Sequence, residues 1–340
     1  MLKKAIFEKK NILITGGAGF VGSHLCDELV KQSKVICIDN FSTGDEKNID
    51  HLLSNPDFEF IRHDLCEPIE LENFPELEKF RIKFQGIQEI YNLACPTSPK
   101  NFHDNRIDTL LANSYAVKNT LDLAVKYDAK FLHFSSSVVY GPKRDSGGNI
   151  AEHDVGIVDM LSERSSYDEG KRFAETIVKN FRDVFMIDSK IVRIFRTYGP
   201  RMKLNDGQLI PDFIYNALDN KELLMHSDES ETTSLCYIAD IVDGAMKMMD
   251  SDSPGPVNLG SDVAVSMTEV ANKIIEMTGS KSNVVKNDGT IKLPDLCIPD
   301  ISKARTELGW IPVNTLEHGL EMTIEDLRAT KGLKTIKGVI

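Results

Sequence analysis

Asn11-Ile-Leu-Ile-Thr-Gly16-Gly17-Ala18-Gly19-Phe20-Val21-Gly22 is the stretch that decides how this chain folds. An apolar run of strand length enters a turn with glycine at 16, 19 and 22. The turn opens a segment, 22–31, in which Leu25 and Leu29 stand four apart on one helical face. Strand, glycine turn and helix in direct succession form the first half of a βαβ unit. Glycine permits the tight turn and lets bare backbone approach an anion, and the helix N-terminus adds N–H donors and a positive dipole end.

The alternation continues downstream. Short apolar runs at 35–39, 58–61, 89–93, 130–135 and 190–194 read as strands, with long helices at about 105–127 and 168–186. The expected fold is α/β: a Rossmann-type doubly wound parallel sheet with a smaller mixed α/β C-terminal substrate lobe. The boundaries expected are 1–194 for the dinucleotide domain, with about 235–250 returning to it, and 195–330 for the lobe, where Gly199-Pro200, Pro254-Gly255-Pro256, Pro294 and Pro299 loosen the pattern. The tail after about residue 330 is expected to be loosely ordered.

Composition narrows the class. The chain has 340 residues, 41% of them hydrophobic, enough for a large core. A net charge of −12, from 40 basic and 52 acidic residues, argues against a nucleic-acid or anionic-membrane surface. No apolar run has membrane-spanning length, and the first ten residues carry lysines without an apolar core of a signal peptide. Cysteines at 26, 37, 66, 95, 236 and 297 form no CxxC pair and no zinc pattern, so no metal is expected and the reading is of reduced thiols in a cytoplasmic protein.

The chemistry-bearing residues follow the fold. Asp39 ends the second strand, 17 residues after Gly22, where a carboxylate can hold both ribose hydroxyls and repel a 2′-phosphate. That points to NAD. Asp64, ending the third strand, is placed to read an adenine amino group or to serve as a turn residue. Tyr167 and Lys171 share a helical face four residues apart, and Ser135-Ser136-Ser137 ends the fifth strand at the carboxyl edge where such sheets bind ligands. Together they suggest a tyrosine acting as acid/base on a sugar or alcohol hydroxyl. Lys171 would lower the tyrosine pKa by Coulomb attraction, and Ser136 would share the substrate proton.

ITGGAGFVGSHL, IDNFSTG, HDLCEPI, LACPTSP, YDEGKR, GPRMKLNDG and PVNLG carry a resemblance. From about residue 10 to 327 the chain resembles the extended short-chain dehydrogenase/reductases of the nucleotide-sugar epimerase/dehydratase family, most of all the UDP-glucuronate decarboxylases. The resemblance implies a nucleotide-sugar substrate, UDP-linked by preference, oxidised at the sugar 4-position. It implies cofactor contacts from Gly16, Gly19, Phe20, Val21, Gly22, Asp39, Asn40, Asp64, Leu65, Leu93, Tyr167 and Lys171. Substrate contacts would come from Pro96, Ser98, Ser137, Arg196, Arg201, Lys203 and Asn205. It also implies a homodimer through the helices at 105–127 and 168–186.

Three positions depart from that pattern. Val138 stands where the family carries a glutamate, Thr233 where it carries an arginine, and Arg196 where it carries an asparagine. Arg196 can compensate as a carboxylate or phosphate clamp. Because the changes fall after the oxidation step, a 4-epimerase or 4-dehydrogenase on another nucleotide hexose stays open, as does a non-catalytic NAD(H) sensor. An insertion of about fourteen residues between Pro68 and Glu89 reads as a solvated surface loop.

Overall fold

The computed structural model describes residues 9–97, 104–142, 148–225, 232–286 and 297–337. Strands β1 (Asn11–Thr15), β2 (Lys34–Asp39), β3 (Phe58–Arg62), β4 (Glu89–Asn92), β5 (Lys130–Ser136) and β6 (Ser189–Ile194) fall where the apolar runs place them. Helix α1 (Phe20–Leu29) follows the glycine turn. After the short α2 (Ile82–Gln85) come α3 (Arg106–Leu111), a π-type turn over Ala112–Ala116, and α4 (Val117–Tyr127); α5 (Ser165–Phe185) precedes β6.

The later chain supplies β7 (Thr197–Tyr198), α6 (Leu209–Leu218), β8 (Leu223–Met225), β9 (Thr232–Thr233), β10 (Cys236–Tyr237), α7 (Ile238–Asp250) and β11 (Val257–Leu259). It closes with β12 (Val265–Ser266), α8 (Met267–Thr278), β13 (Val284–Lys286), α9 (Ser302–Leu308) and α10 (Leu316–Lys337). The helix that ends the chain thus continues past residue 330, where loose order was expected, and Lys331 anchors it through an ion pair with Asp219.

Seven parallel strands form the central sheet in the order β11-β6-β5-β4-β1-β2-β3. Both faces are buried, so the strands read as apolar runs without polar alternation. Successive residues still face opposite ways: Ile12, Ile14, Val35 and Cys37 enter the core shared with α1 and α7, whereas Leu13, Ile36 and Ile38 enter the one under α4 and α5. The first core runs on without a break into the lobe, where Phe213, Val270, Ile274 and Leu320 join it. Asp240 locks that junction, its carboxylate accepting from Val313 N at 3.0 Å and Asn314 Nδ2 at 2.8 Å while its carbonyl accepts from buried Trp310.

The insertion is not a solvated loop. Its 3₁₀ turns and α2 bury Leu71, Leu77, Phe80 and Ile82 in the second core. Buried Asn11 of β1 donates to Phe80 O at 3.0 Å and Gly86 O at 2.8 Å. The segment therefore covers the amino-terminal end of the sheet, away from the strand ends that bind ligands. Charged residues between the apolar ones (Glu76, Glu78, Lys79) disguise its one-sided packing in the sequence. No helix among the described residues is long and apolar enough to cross a membrane.

Phe80 is almost fully buried, so Phe80→Ala should cost about 3–5 kcal/mol of stability through the cavity it leaves. Denaturant unfolding measures this; a loss below about 1 kcal/mol would restore the loop reading.

Candidate active site

Beyond the carboxyl ends of the paired strands β1 and β4, the edge of the sheet opens into a cavity of about 1230 Å³ that reaches from the glycine turn to the lobe. Gly16, Gly19, Phe20, Val21 and Gly22 form one wall. The glycines are sterically required. A Cβ on Gly22 would lie 2.2 Å from Gly16 O and 2.8 Å from Gly17 Cα, both immovable backbone. A Cβ on Gly19 would meet only Gly16 O within 4 Å and would otherwise fill the cradle beside the N-terminus of α1.

Asp39 also lines this end. Its carboxylate accepts from Ala18 N at 3.0 Å and Phe41 N at 2.8 Å, tying the end of β2 to the turn. Burial pushes its carboxyl up from the usual range, and those N–H bonds oppose the rise. Asn40, Asp64, Leu65 and Leu93 line the same end. Asp64 is also a turn residue, accepting from Cys66 N at 2.9 Å and from Asn40 Nδ2 at 3.3 Å.

The middle of the cavity holds Ser136, Ser137, Tyr167 and Lys171. Ser136 ends β5, and its hydroxyl accepts from Val138 N at 3.4 Å, capping the 3₁₀ turn that follows. Tyr167, in the first turn of α5, lines the same part of the cavity. Burial pushes the Tyr167 phenol above its ordinary range, and the Cys95 thiol adds to the rise, whereas Ser136 and the Arg164 guanidinium oppose it. The Lys171 ammonium donates to Phe134 O at 2.8 Å, and after burial its charge helps hold His133 well below its usual range.

Sequence reading missed several participants. Asn113 sits in the π-type turn, buried, donating to Cys95 Sγ at 3.1 Å and Thr109 O at 2.9 Å. Its Oδ1 is buried without a partner among the described residues. Gly170 makes room for it, since a Cβ there would lie 2.9 Å from Asn113 Nδ2. An extra residue in one helical turn leaves no periodic signature, so only the structure shows Asn113 turned toward α5.

The lobe end carries Pro96, Arg196, Arg201, Lys203 and Asn205. Ser98 lies outside the described residues. Arg196 follows β6 by two residues and is fixed by Cys236 N donating to its carbonyl at 3.0 Å. Arg201 is also tied to α1: Nη2 donates to Asp27 Oδ2 at 2.7 Å, while Nη1 is buried with no partner among the described residues. Arg201 and Asn205 both hold left-handed backbone (φ 68° and 57°), so the loop over the cavity is conformationally constrained. Val138 is buried against Tyr167 and Cys95, and Thr233 is buried in β9, paired with Val265 and absent from the cavity wall. Among the described residues no cluster suited to a metal ion occurs.

A glycine turn, an acid at the end of β2 and a Ser-Tyr-Lys set over one cleft define an extended short-chain dehydrogenase/reductase. The model of the GDP-mannose 4,6 dehydratase family matches residues 13–323, and the chain belongs to that family. It is 39% identical over 322 residues to UDP-glucuronic acid decarboxylase 1 of Arabidopsis thaliana, covering 94% of this chain and 70% of that one. It is 37% identical over 342 residues to decarboxylase 6 of the same plant, covering 98% and 93%. Among solved structures, the UDP-glucuronic acid 4-epimerase of Bacillus cereus in complex with UDP-glucuronic acid and NAD superposes with a TM-score of 0.80 at 27% identity, covering 94% of this chain and 99% of that one.

Gly22→Ala should therefore raise the NAD dissociation constant at least about tenfold, or about 1.4 kcal/mol, with the secondary structure kept. Calorimetric titration with circular dichroism checks this; unchanged affinity would mean that the turn moves freely.

Proposed function

We propose that this protein is an NAD-dependent enzyme that oxidises the sugar 4-position of UDP-glucuronate and decarboxylates the product. The observation that carries it is that Ser136, Tyr167 and Lys171 line the same cavity as the glycine turn and Asp39. The glycine wall and Asp39 suit a dinucleotide, with the carboxylate disfavouring a 2′-phosphate. Bound NAD supplies the acceptor for the hydride leaving the sugar carbon.

The chain's own groups do the rest. Tyr167 takes the proton of the 4-hydroxyl, and Ser136 holds that hydroxyl. Lys171, beside Tyr167 on α5, is placed to meet the nicotinamide ribose. With a glucuronate the 4-keto product is a β-keto acid: loss of its carboxylate as carbon dioxide leaves the bond's electron pair as an enolate, which takes a proton at carbon 5 from water and so needs no side-chain acid at position 138. Return of the hydride to carbon 4 and of the Tyr167 proton to its oxygen gives the pentose.

Arg196 is assigned to the sugar carboxylate or diphosphate, because Thr233 is withdrawn into a strand and brings no charge to the cavity. Arg201 (through its spare Nη1), Lys203, Asn205, Pro96 and Ser137 are assigned to the nucleotide sugar, and residues 195–330 chiefly to its lobe. A cytoplasmic location belongs to the proposal, supported by six cysteines that are all free.

UDP-glucuronate incubated with pure protein should lose carbon dioxide, read by mass spectrometry as a UDP-pentose. Tyr167→Phe should lower that rate at least about 100-fold. A product of unchanged mass would identify a 4-epimerase instead, and Val138 would be the residue to examine first.

The proposal includes a homodimer through α3, α4 and α5. Ile107 of α3, Tyr115 of the π-type turn between α3 and α4, and Phe173 of α5 are 66%, 57% and 52% exposed. Their exposure on neighbouring, mutually packed helices fits a surface covered by a second copy. Light scattering should give twice the chain mass, and Phe173→Glu should shift it toward the monomer; a monomeric wild type at micromolar concentration overturns this.

A further inference from the structure

Behind the catalytic residues lies a buried ionic cluster that the proposed chemistry does not use. Arg193 of β6 and Glu175 of α5 are 13% and 14% exposed at their side chains. Nε of Arg193 donates to Glu175 Oε1 at 2.9 Å and Nη2 donates to Oε2 at 2.8 Å, a two-pronged planar pairing. Nη1 turns the other way, donating to Tyr140 OH at 2.8 Å and to Glu152 O at 3.1 Å. The Tyr140 ring lies under the guanidinium, 4.7 Å from its carbon, and the phenol donates onward to Asn258 Oδ1 at 2.7 Å. Ser135 Oγ closes the cluster, donating to Glu175 Oε1 at 2.6 Å.

The elements joined are those that carry the reacting groups. Glu175 is one turn past Lys171 and two turns past Tyr167 on the same helix. Tyr140 ends the 3₁₀ turn that begins at Ser137, directly after Ser136. One guanidinium therefore grips the helix bearing Tyr167 and the turn following Ser136, from a strand between which neither could slide alone. We propose that Arg193 is a positioning residue: its bonds to Glu175 and Tyr140 set the axial position and rotation of α5 against the end of β5, so that Tyr167 meets Ser136.

A stabilising role alone explains the cluster poorly. Removing both charges from water costs about as much as their attraction returns, so a buried pair is a weak source of net stability. It is a strong source of direction, because the rigid guanidinium fork accepts one orientation of the carboxylate. Misplacing a reacting group by about 1 Å costs on the order of 100-fold in rate. Lysine, with a point charge and no fork, cannot hold both Glu175 and Tyr140.

The inference rests on the proposed role of Tyr167, and the experiment separates the two. Wild type, Tyr167→Phe, Arg193→Lys and the double variant Glu175→Leu/Arg193→Met are compared on the nucleotide sugar that the wild type oxidises, with activity normalised to the folded fraction from thermal unfolding. The double variant replaces the ion pair by apolar groups and should melt within a few degrees of the wild type. Both Arg193 variants should lose about 100-fold in kcat while KM and NAD affinity stay within about threefold. Folded variants with kcat within about threefold of the wild type overturn the inference, as does any loss that the unfolded fraction accounts for. Full activity of Tyr167→Phe would instead sink the proposed chemistry.

Discussion

The winding of the sheet reverses between β1 and β4, and the rest of the molecule is arranged around that reversal. Chain leaving β1 goes to α1 on one face, and chain leaving β4 goes to α3 and α4 on the other. No crossover roofs the strand ends where the two part, so a crevice forms there without any special sequence. Its floor is backbone at the carboxyl ends of parallel strands. One side of it is the start of α1, with free N–H groups and a positive dipole end. An anionic dinucleotide and an oxidisable substrate are accommodated by the topology before any side chain specialises the site.

Specialisation comes from α5. Tyr167, Lys171 and Glu175 stand at successive turns of this helix, each toward a different partner: Ser136, the Phe134 carbonyl, and the Arg193 fork. The bonds of Lys171 and Glu175 along one face resist both sliding and rotation. The helix on the same side, carrying α3 and α4, adapts to α5 through its π-type turn, which brings Asn113 against Gly170. Ser136, Tyr167 and Lys171 are thus held by regular elements on a packed core.

The glycine turn, Asp39, Tyr167 and Lys171 were legible because each follows from a short-range rule: a turn that needs glycine, a strand end, a helical spacing of four. The strands were legible for a similar reason, since burial on both faces writes an uninterrupted apolar run. The insertion at 71–85 misled because its buried residues follow short 3₁₀ turns rather than one long period, with charges between them. The ion pair of Arg201 with Asp27 was illegible for another reason: the two residues lie 174 positions apart, and a cation in a loop carries no sequence signal for its partner.

By itself the sequence determined the sheet, the dinucleotide turn, the acid at the end of β2, and the serine, tyrosine and lysine to which the proposal assigns the substrate's proton. These depend on local backbone sterics and on spacing within single elements. Only the tertiary structure decided which groups meet: that Arg164 and Ser136 temper the Tyr167 phenol, that Lys171 reaches a backbone carbonyl, that Val138 packs behind Tyr167 and that Thr233 is a strand residue outside the cavity. The reason is that electrostatic partners are chosen by distance through space in a low-dielectric interior, and distance through space is set by how helices and strands from remote parts of the chain pack.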